Sequence, residues 1–294
     1  MKEQTIQFEI PAVSSVEAIN YKRKQAIFKC FKALPFWILI SGFIITIFGM
    51  TFSVLLNAFS SEWYGTILPK SYTAHWFLKA WKEYDIWSYY KVTIEITFVS
   101  TLLSLCLSIP TAYVLARKNI PLKGALISFF QFPIMLPEIV YAIPLASIFY
   151  EIGLAETIPG LIIVELLIGI PFSLVILIPF IETLDSRIEV AAQSLGANKF
   201  KLFTKIVIPQ LMPGITSAAI NVFIRMFSTF LTILLIAGTS TQTLPVMVFS
   251  VLQSAGSQPA PEIDSLTISL MFPLLLFTFA SLWFSSYTKR KSRK

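Results

Sequence analysis

Histidine and cysteine are almost missing from this 294-residue sequence. His75 is the single histidine, so no multi-histidine metal site can form, and Cys30 and Cys106 are too few for a disulfide framework. None of the 11 glycines belongs to a G-x-x-x-x-G-K-[ST] run, so the chain has no phosphate cradle for ATP. H-E-x-x-H and G-x-S-x-G are absent as well, which excludes a zinc metalloprotease and a serine hydrolase of the usual kinds. No catalytic residue and no metal ligand is assigned, and no cofactor is expected on this chain. Charge is scarce too. Asp, Glu, Lys and Arg make up 13% of the residues, about half the share of a soluble domain. With 55% hydrophobic residues and a mean hydropathy of +0.74, a soluble fold lacks the polar surface it needs.

Long apolar runs fill the space that charge leaves. A helix needs about 20 such residues to cross the hydrocarbon of a bilayer. Six stretches qualify, near residues 35–59, 92–116, 125–150, 160–181, 211–237 and 265–287. The expected fold is all-α: a polytopic membrane protein of six transmembrane helices. Pro110, Pro133, Pro137, Pro144, Pro171 and Pro273 fall inside these runs. In a bundle, neighbouring helices satisfy the backbone groups that such prolines free. The polar, basic start and the length of the first run are unlike a cleavable signal peptide.

The net charge of +7 describes membrane sidedness rather than a nucleic-acid surface. Of 23 Lys and Arg, eighteen lie in segments 1–33, 117–124, 182–210 and 288–294. Three lie in segments 60–90, 151–159 and 238–264, and the last two are Lys91 and Arg225. This positive-inside bias places both termini and the 182–210 loop in the cytoplasm. The chain therefore divides into a cytoplasmic segment 1–33, a transmembrane domain 34–287 and a basic tail 288–294 that anchors at lipid headgroups. On the outer side, Trp63, Tyr64, Trp76, Trp81, Tyr84, Trp87, Tyr89 and Tyr90 suit either an interfacial aromatic belt or a surface for an external partner. The run "TLPVMVFSVLQ" is too short to span and reads as a re-entrant or interfacial helix.

The cytoplasmic loop "RIEVAAQSLGANKFKLFTKIVIPQLMPGI" is long for a helix bundle, where links usually run about 2–8 residues. Ala191, Ala192 and Leu195 share one helical face, and Gly196 suits a left-handed cap. Asn198 can cap a second short helix whose Phe200, Phe203 and Thr204 turn back to the membrane, and Pro209 marks the start of the next span. The pattern is a helix–turn–helix knob fit for a groove on another protein. Its spacing resembles the E-A-A-x3-G-x9-I-x-L-P loop of permease subunits of binding-protein-dependent type I ABC importers. Ala191, Ala192, Gly196, Ile206 and Pro209 stand at the family distances. Val190 occupies the acidic position, with Glu189 one place earlier, and Ile208 replaces the usual leucine.

That resemblance implies the type I importer permease fold in a bacterial inner (cytoplasmic) membrane. It also implies a second permease subunit, two cytoplasmic ATPase subunits carrying ATP and Mg, and an extracytoplasmic solute-binding protein. The loop is then the contact through which the ATPase drives the pathway, and Gly196→Asp is expected to uncouple transport by bulk and backbone strain. The order of "LPEIVYAIP", "EVAAQSLGA" and "TLPVMVFS" most resembles the spermidine/putrescine and aminoethylphosphonate permeases, where two different permeases are frequent. Phe227, Ser228 and Thr229 stand where the polyamine branch carries acidic residues.

Charges inside spans are functional by default because each is costly in hydrocarbon. On one helix Ser217, Asn221, Arg225, Ser228 and Thr232 fall within about an 80° arc. Two readings are open: interhelical hydrogen bonding, and a pathway-lining stripe with Arg225 facing solute or water. Arg225 could also pair with Glu95, Glu138 or Glu165. Glu138 either lines a cavity between Pro137 and Pro144 or pairs with Arg225, while Glu95 and Glu165 are near enough to span ends to reach headgroup water. An anionic or zwitterionic solute suits Arg225 better than a polycation. Permeases for iron or an oxyanion, and a stand-alone secondary transporter, are the competing readings; the sequence lacks the internal repeat expected of the last.

Overall fold

The computed structural model describes residues 15–61, 63, 68–254 and 260–291. The start of the 1–33 segment, Tyr64 of the aromatic loop and the last three residues of the basic tail lie outside them. Among the described residues the chain is helical, with one isolated bridge between Ser60 and Tyr72.

The chain forms two units, Met1–Leu56 and Asn57–Lys294. The first is built from α1 (Ser15–Ala58), whose stretch Pro35–Ala58 is long and apolar enough to cross a membrane. The second unit begins with α2 (His75–Glu83) and α3 (Ile86–Arg117), followed by α4 (Lys123–Met135) and α5 (Glu138–Glu151). Then come α6 (Ile158–Glu182), α7 (Ser186–Ser194), α8 (Lys199–Leu202) and, after a π turn, α9 (Ile208–Phe227). It ends with α10 (Leu231–Ile236), α11 (Leu244–Ser254) and α12 (Ala260–Lys291).

Among the described residues five helices meet the length and hydropathy of a span, and six if α4 and α5, bent by 89° at their junction, count as one. Pro137 explains that bend: it lacks an N–H, and it holds Leu136 in an extended conformation. α11, with 11 residues, is too short to cross, as its sequence indicates.

Helices α3, α6 and α9 pack closely because small residues face each other. Thr93, Thr97, Ser100, Ser104 and Ser108 are buried along α3, and Ser108 Oγ donates to the Ile170 carbonyl of α6 at 3.2 Å. A Cβ on Gly169 would run into Met226 of α9 and Ser104 of α3, so a larger residue there forces both side chains to shift. Toward the cytoplasmic ends a core of Leu115, Leu174, Leu177, Ile181, Leu202 and Leu211 joins α3, α6, α8 and α9. On the outer side Lys79 of α2 donates to Glu262 of α12 at 2.8 Å, and Trp76 Nε1 donates to the Ser60 carbonyl at 2.8 Å.

The fifth apolar run departs from the single span 211–237. The spanning helix starts earlier, at Lys199, and stops at Phe227. Its π turn, Phe203–Val207, has the Ile208 N–H bonded to the Phe203 carbonyl, and Pro209 offers no N–H to the Lys205 carbonyl. The stop has a polar cause. Ser228 and Thr229 turn their hydroxyls back onto the Ile224 and Arg225 carbonyls, and Glu138 caps the new start at Thr232.

Candidate functional site

The cytoplasmic knob is built as two capped helices. Asp185 Oδ1 accepts from the Arg187 N–H at 2.9 Å to start α7, and Asn198 Oδ1 accepts from the Lys201 N–H at 2.8 Å to start α8. Between them Gly196 has φ +84°; its N–H bonds the Gln193 carbonyl while the Ala197 N–H bonds the Ala192 carbonyl. That pair of bonds is the Schellman closure that a left-handed residue permits. A Cβ on Gly196 meets nothing within 4 Å, so within this chain only the positive φ opposes a side chain.

Glu189 faces the end of α3. Its Oε1 accepts from Arg117 Nε at 2.8 Å and its Oε2 from the Tyr113 hydroxyl at 2.6 Å. Arg117 Nη2 also donates to the Leu184 carbonyl at 2.9 Å. The last turn of α3 therefore grips α7 and the turn before it with three hydrogen bonds. Tyr113 stacks edge-on against Phe203, and Ala192 and Leu184 pack on the core below. Four large apolar side chains stay on the surface, Ile188, Val190, Leu195 and Phe200, Leu195 at 90% exposure, among exposed polar neighbours that include Arg187, Gln193, Lys199 and Lys201. Ala191 is exposed and Ile206 is half-buried against the core, while Pro209 sits in the first turn of α9. Arg117 and Tyr113 escaped sequence reasoning, since a helix-end Arg is expected from sidedness alone.

Within the membrane region the polar stripe is split. Ser217 and Asn221 are exposed on α9 and Ser228 just past its end, and Asn221 Nδ2 donates to the Ser217 carbonyl at 2.8 Å. Arg225 is half-buried on the same helix, but Thr232 lies beyond the break on α10 and is fully buried. Thr232 donates both its N–H, at 2.9 Å, and its hydroxyl, at 2.8 Å, to Glu138 Oε1. Glu138 thus ties the break between α4 and α5 to the break between α9 and α10.

Arg225 forms none of the ion pairs within 4.0 Å that exist among the described residues. The pairing with Glu95, Glu138 or Glu165 is not formed. Glu95 is exposed. Glu165 does not reach headgroup water: it is 2% exposed inside the bundle, where Thr229 donates to its Oε2 at 3.3 Å. A cavity of about 80 Å³ lies at the α4–α5 bend, lined by Leu136, Glu138, Tyr141, Ile168, Phe172 and Arg225 together with Pro133 and Ile134. Tyr141 and Phe172 carry no pattern that would single them out in the sequence. No group of three or more His, Cys, Asp or Glu able to hold a metal occurs among the described residues.

Residues 106–294 match the family described as binding-protein-dependent transport system inner membrane component. The chain belongs to that family. It is similar to the sulfate transport system permease protein CysT of Salmonella typhimurium, 29% identical over 208 residues, 66% of this chain and 75% of that one. It is also similar to the spermidine/putrescine transport system permease protein PotC of Haemophilus influenzae, 24% identical over 230 residues, 78% of this chain and 88% of that one. Among solved structures, a bacterial ABC transporter involved in the import of the acidic polysaccharide alginate superposes with a TM-score of 0.68 at 16% identity, covering 88% of this chain and 96% of that one. The fold is shared. The chain is an ABC importer permease, a non-catalytic transport subunit that crosses the inner membrane several times. Relatives named for sulfate and for polyamines stand side by side, so the family does not single out one solute.

Proposed function

We propose that this permease forms half of a translocation pathway for a small solute and is driven by a cytoplasmic ATPase through the 182–210 loop. One observation carries the reading: a knob that exposes four large apolar side chains, Ile188, Val190, Leu195 and Phe200, and is fixed to α3 by the Glu189–Arg117–Tyr113 bonds. Apolar side chains held rigid on a cytoplasmic surface fit a groove on another protein, and a rigid mount transmits force into the bundle. Ala191 and Gly196 allow close approach of that partner.

In this reading Glu189 is a mounting residue, and Ile206 and Pro209 shape the start of the span that the knob moves. The assembly contains a second, different permease, two ATPase subunits with ATP and Mg at their own sites, and an extracytoplasmic solute-binding protein. The transmembrane unit is 34–287, flanked by the cytoplasmic segment 1–33 and the basic tail. Ser217, Asn221, Arg225 and Ser228 face the pathway, and Thr232 serves it by holding Glu138. The solute is a polyamine or an aminoethylphosphonate-like compound.

Gentle detergent purification from the native membrane, with mass spectrometry of what comes along, tests this. An ATPase subunit and a second permease are expected with the intact chain, and both are expected to be lost with Gly196→Asp. A monomer or homodimer free of any ATPase would refute the coupling role.

A further inference from the structure

We propose that the cavity between Arg225 and Glu138 is a subsite for a small zwitterion, which places its oxyanion on the guanidinium and its ammonium on the carboxylate. The inference rests on the permease reading and narrows its solute. Two opposite charges line one cavity of about 80 Å³, yet they are not joined in any ion pair within 4.0 Å. In a poorly polar wall such charges attract strongly and close on each other unless something holds them apart.

Here something does. Glu138 Oε1 is occupied by the N–H and the hydroxyl of Thr232, so the carboxylate is fixed at the start of α10. Arg225 projects from α9, on the other side of the break at residues 228–230. The cavity between them has room for about five to eight water-sized groups. Ile168 and Phe172 add apolar lining to the same cavity, suited to a short hydrocarbon spacer. Tyr141 adds a hydroxyl.

Each simpler ion leaves one charge unanswered. A polycation neutralises Glu138 but meets Arg225, and a plain oxyanion does the reverse. A neutral solute makes a charge contact with neither group. The fork of a guanidinium also matches a phosphonate, sulfonate or carboxylate geometrically. The dipole of the cavity thus selects a molecule that carries both signs a few bonds apart.

The test uses the complete transporter in lipid nanodiscs, without its binding protein, and equilibrium binding of labelled 2-aminoethylphosphonate. Competitors are taurine, which keeps both charges, ethylphosphonate, which lacks the ammonium, and putrescine, which lacks the oxyanion. Saturable binding is expected, with taurine competing and the two truncated ions at least about tenfold weaker. Arg225→Gln is expected to abolish binding and Arg225→Lys to restore part of it. Glu138→Gln keeps the acceptor for Thr232 and is expected to bring ethylphosphonate level with the zwitterion.

The subsite is overturned if neither zwitterion binds, if ethylphosphonate or putrescine binds as tightly, or if both Gln variants behave as the parent. A complex that retains its ATPase and fails these tests refutes the subsite alone. A chain that purifies with no ATPase refutes the coupling reading instead.

Discussion

Breaking the mount of the cytoplasmic knob has a calculable effect. The Arg117 and Glu189 side chains are 16% and 12% exposed and meet at 2.8 Å, with the Tyr113 hydroxyl on the second carboxylate oxygen. Glu189→Ala removes both acceptors and leaves Arg117 with the Leu184 carbonyl alone. Loss of one partner from a pair this sheltered costs about 2–4 kcal/mol. At about 1.4 kcal/mol per tenfold, the docked knob falls by about 30- to 700-fold relative to an undocked one. Hydrogen exchange of the α7 amides should accelerate by a similar factor, and solute uptake should drop at least about tenfold at unchanged membrane levels. The exchanged pair Arg117→Glu with Glu189→Arg restores the charge contact and should recover part of both readouts, more than either single variant. Single variants with parental exchange and uptake, or an exchanged pair no better than the singles, would refute the idea that this clamp carries the stroke.

Three further outcomes follow from the geometry. Gly169→Ala drives a Cβ to 2.0 Å from Met226 Cε and 2.4 Å from Ser104 Oγ, so the α3–α6–α9 contact should lose about 1–3 kcal/mol, read as a lower Tm in detergent. In Gly196→Asn the added Cβ meets no atom within 4 Å, so the loop should lose only about 1 kcal/mol through its positive φ, yet uptake should fail because a partner closes on that spot. Normal uptake in that variant would remove Gly196 from the contact. Lys79 is held above its ordinary pKa of 10.5, chiefly by the hydrogen bond it gives to Glu262. A raised cationic pKa means the tie between α2 and α12 is fully present below 10.5 and lost as pH climbs through the raised value. Lys79→Gln should abolish that alkaline dependence of outer-side protease resistance.

Periodicity and hydropathy are local properties, and the sequence alone determined what depends on them. The scarcity of charge and the apolar runs establish a helical membrane protein, because a bilayer admits few other solutions, and the one-sided Lys and Arg supply the expected orientation. The spacing of Ala191, Ala192 and Gly196 and the capping chemistry of Asn198 likewise establish the two short helices of the loop, since caps and left-handed turns act within a few residues. Tertiary structure decided where the polar groups point. Nothing within a few residues of Glu189 indicates that Arg117, 72 positions earlier, takes its carboxylate. Thr232 continues the α9 stripe on paper, and only the capture of its N–H by Glu138, 94 positions away, accompanies the break that moves it onto another helix. Glu165 looks close to a span end, but its burial is set by the α3–α6–α9 packing that Gly169 and the buried hydroxyls permit. Long-range pairing of polar groups in a low-dielectric interior depends on which helices meet, and that is fixed by packing rather than by pattern.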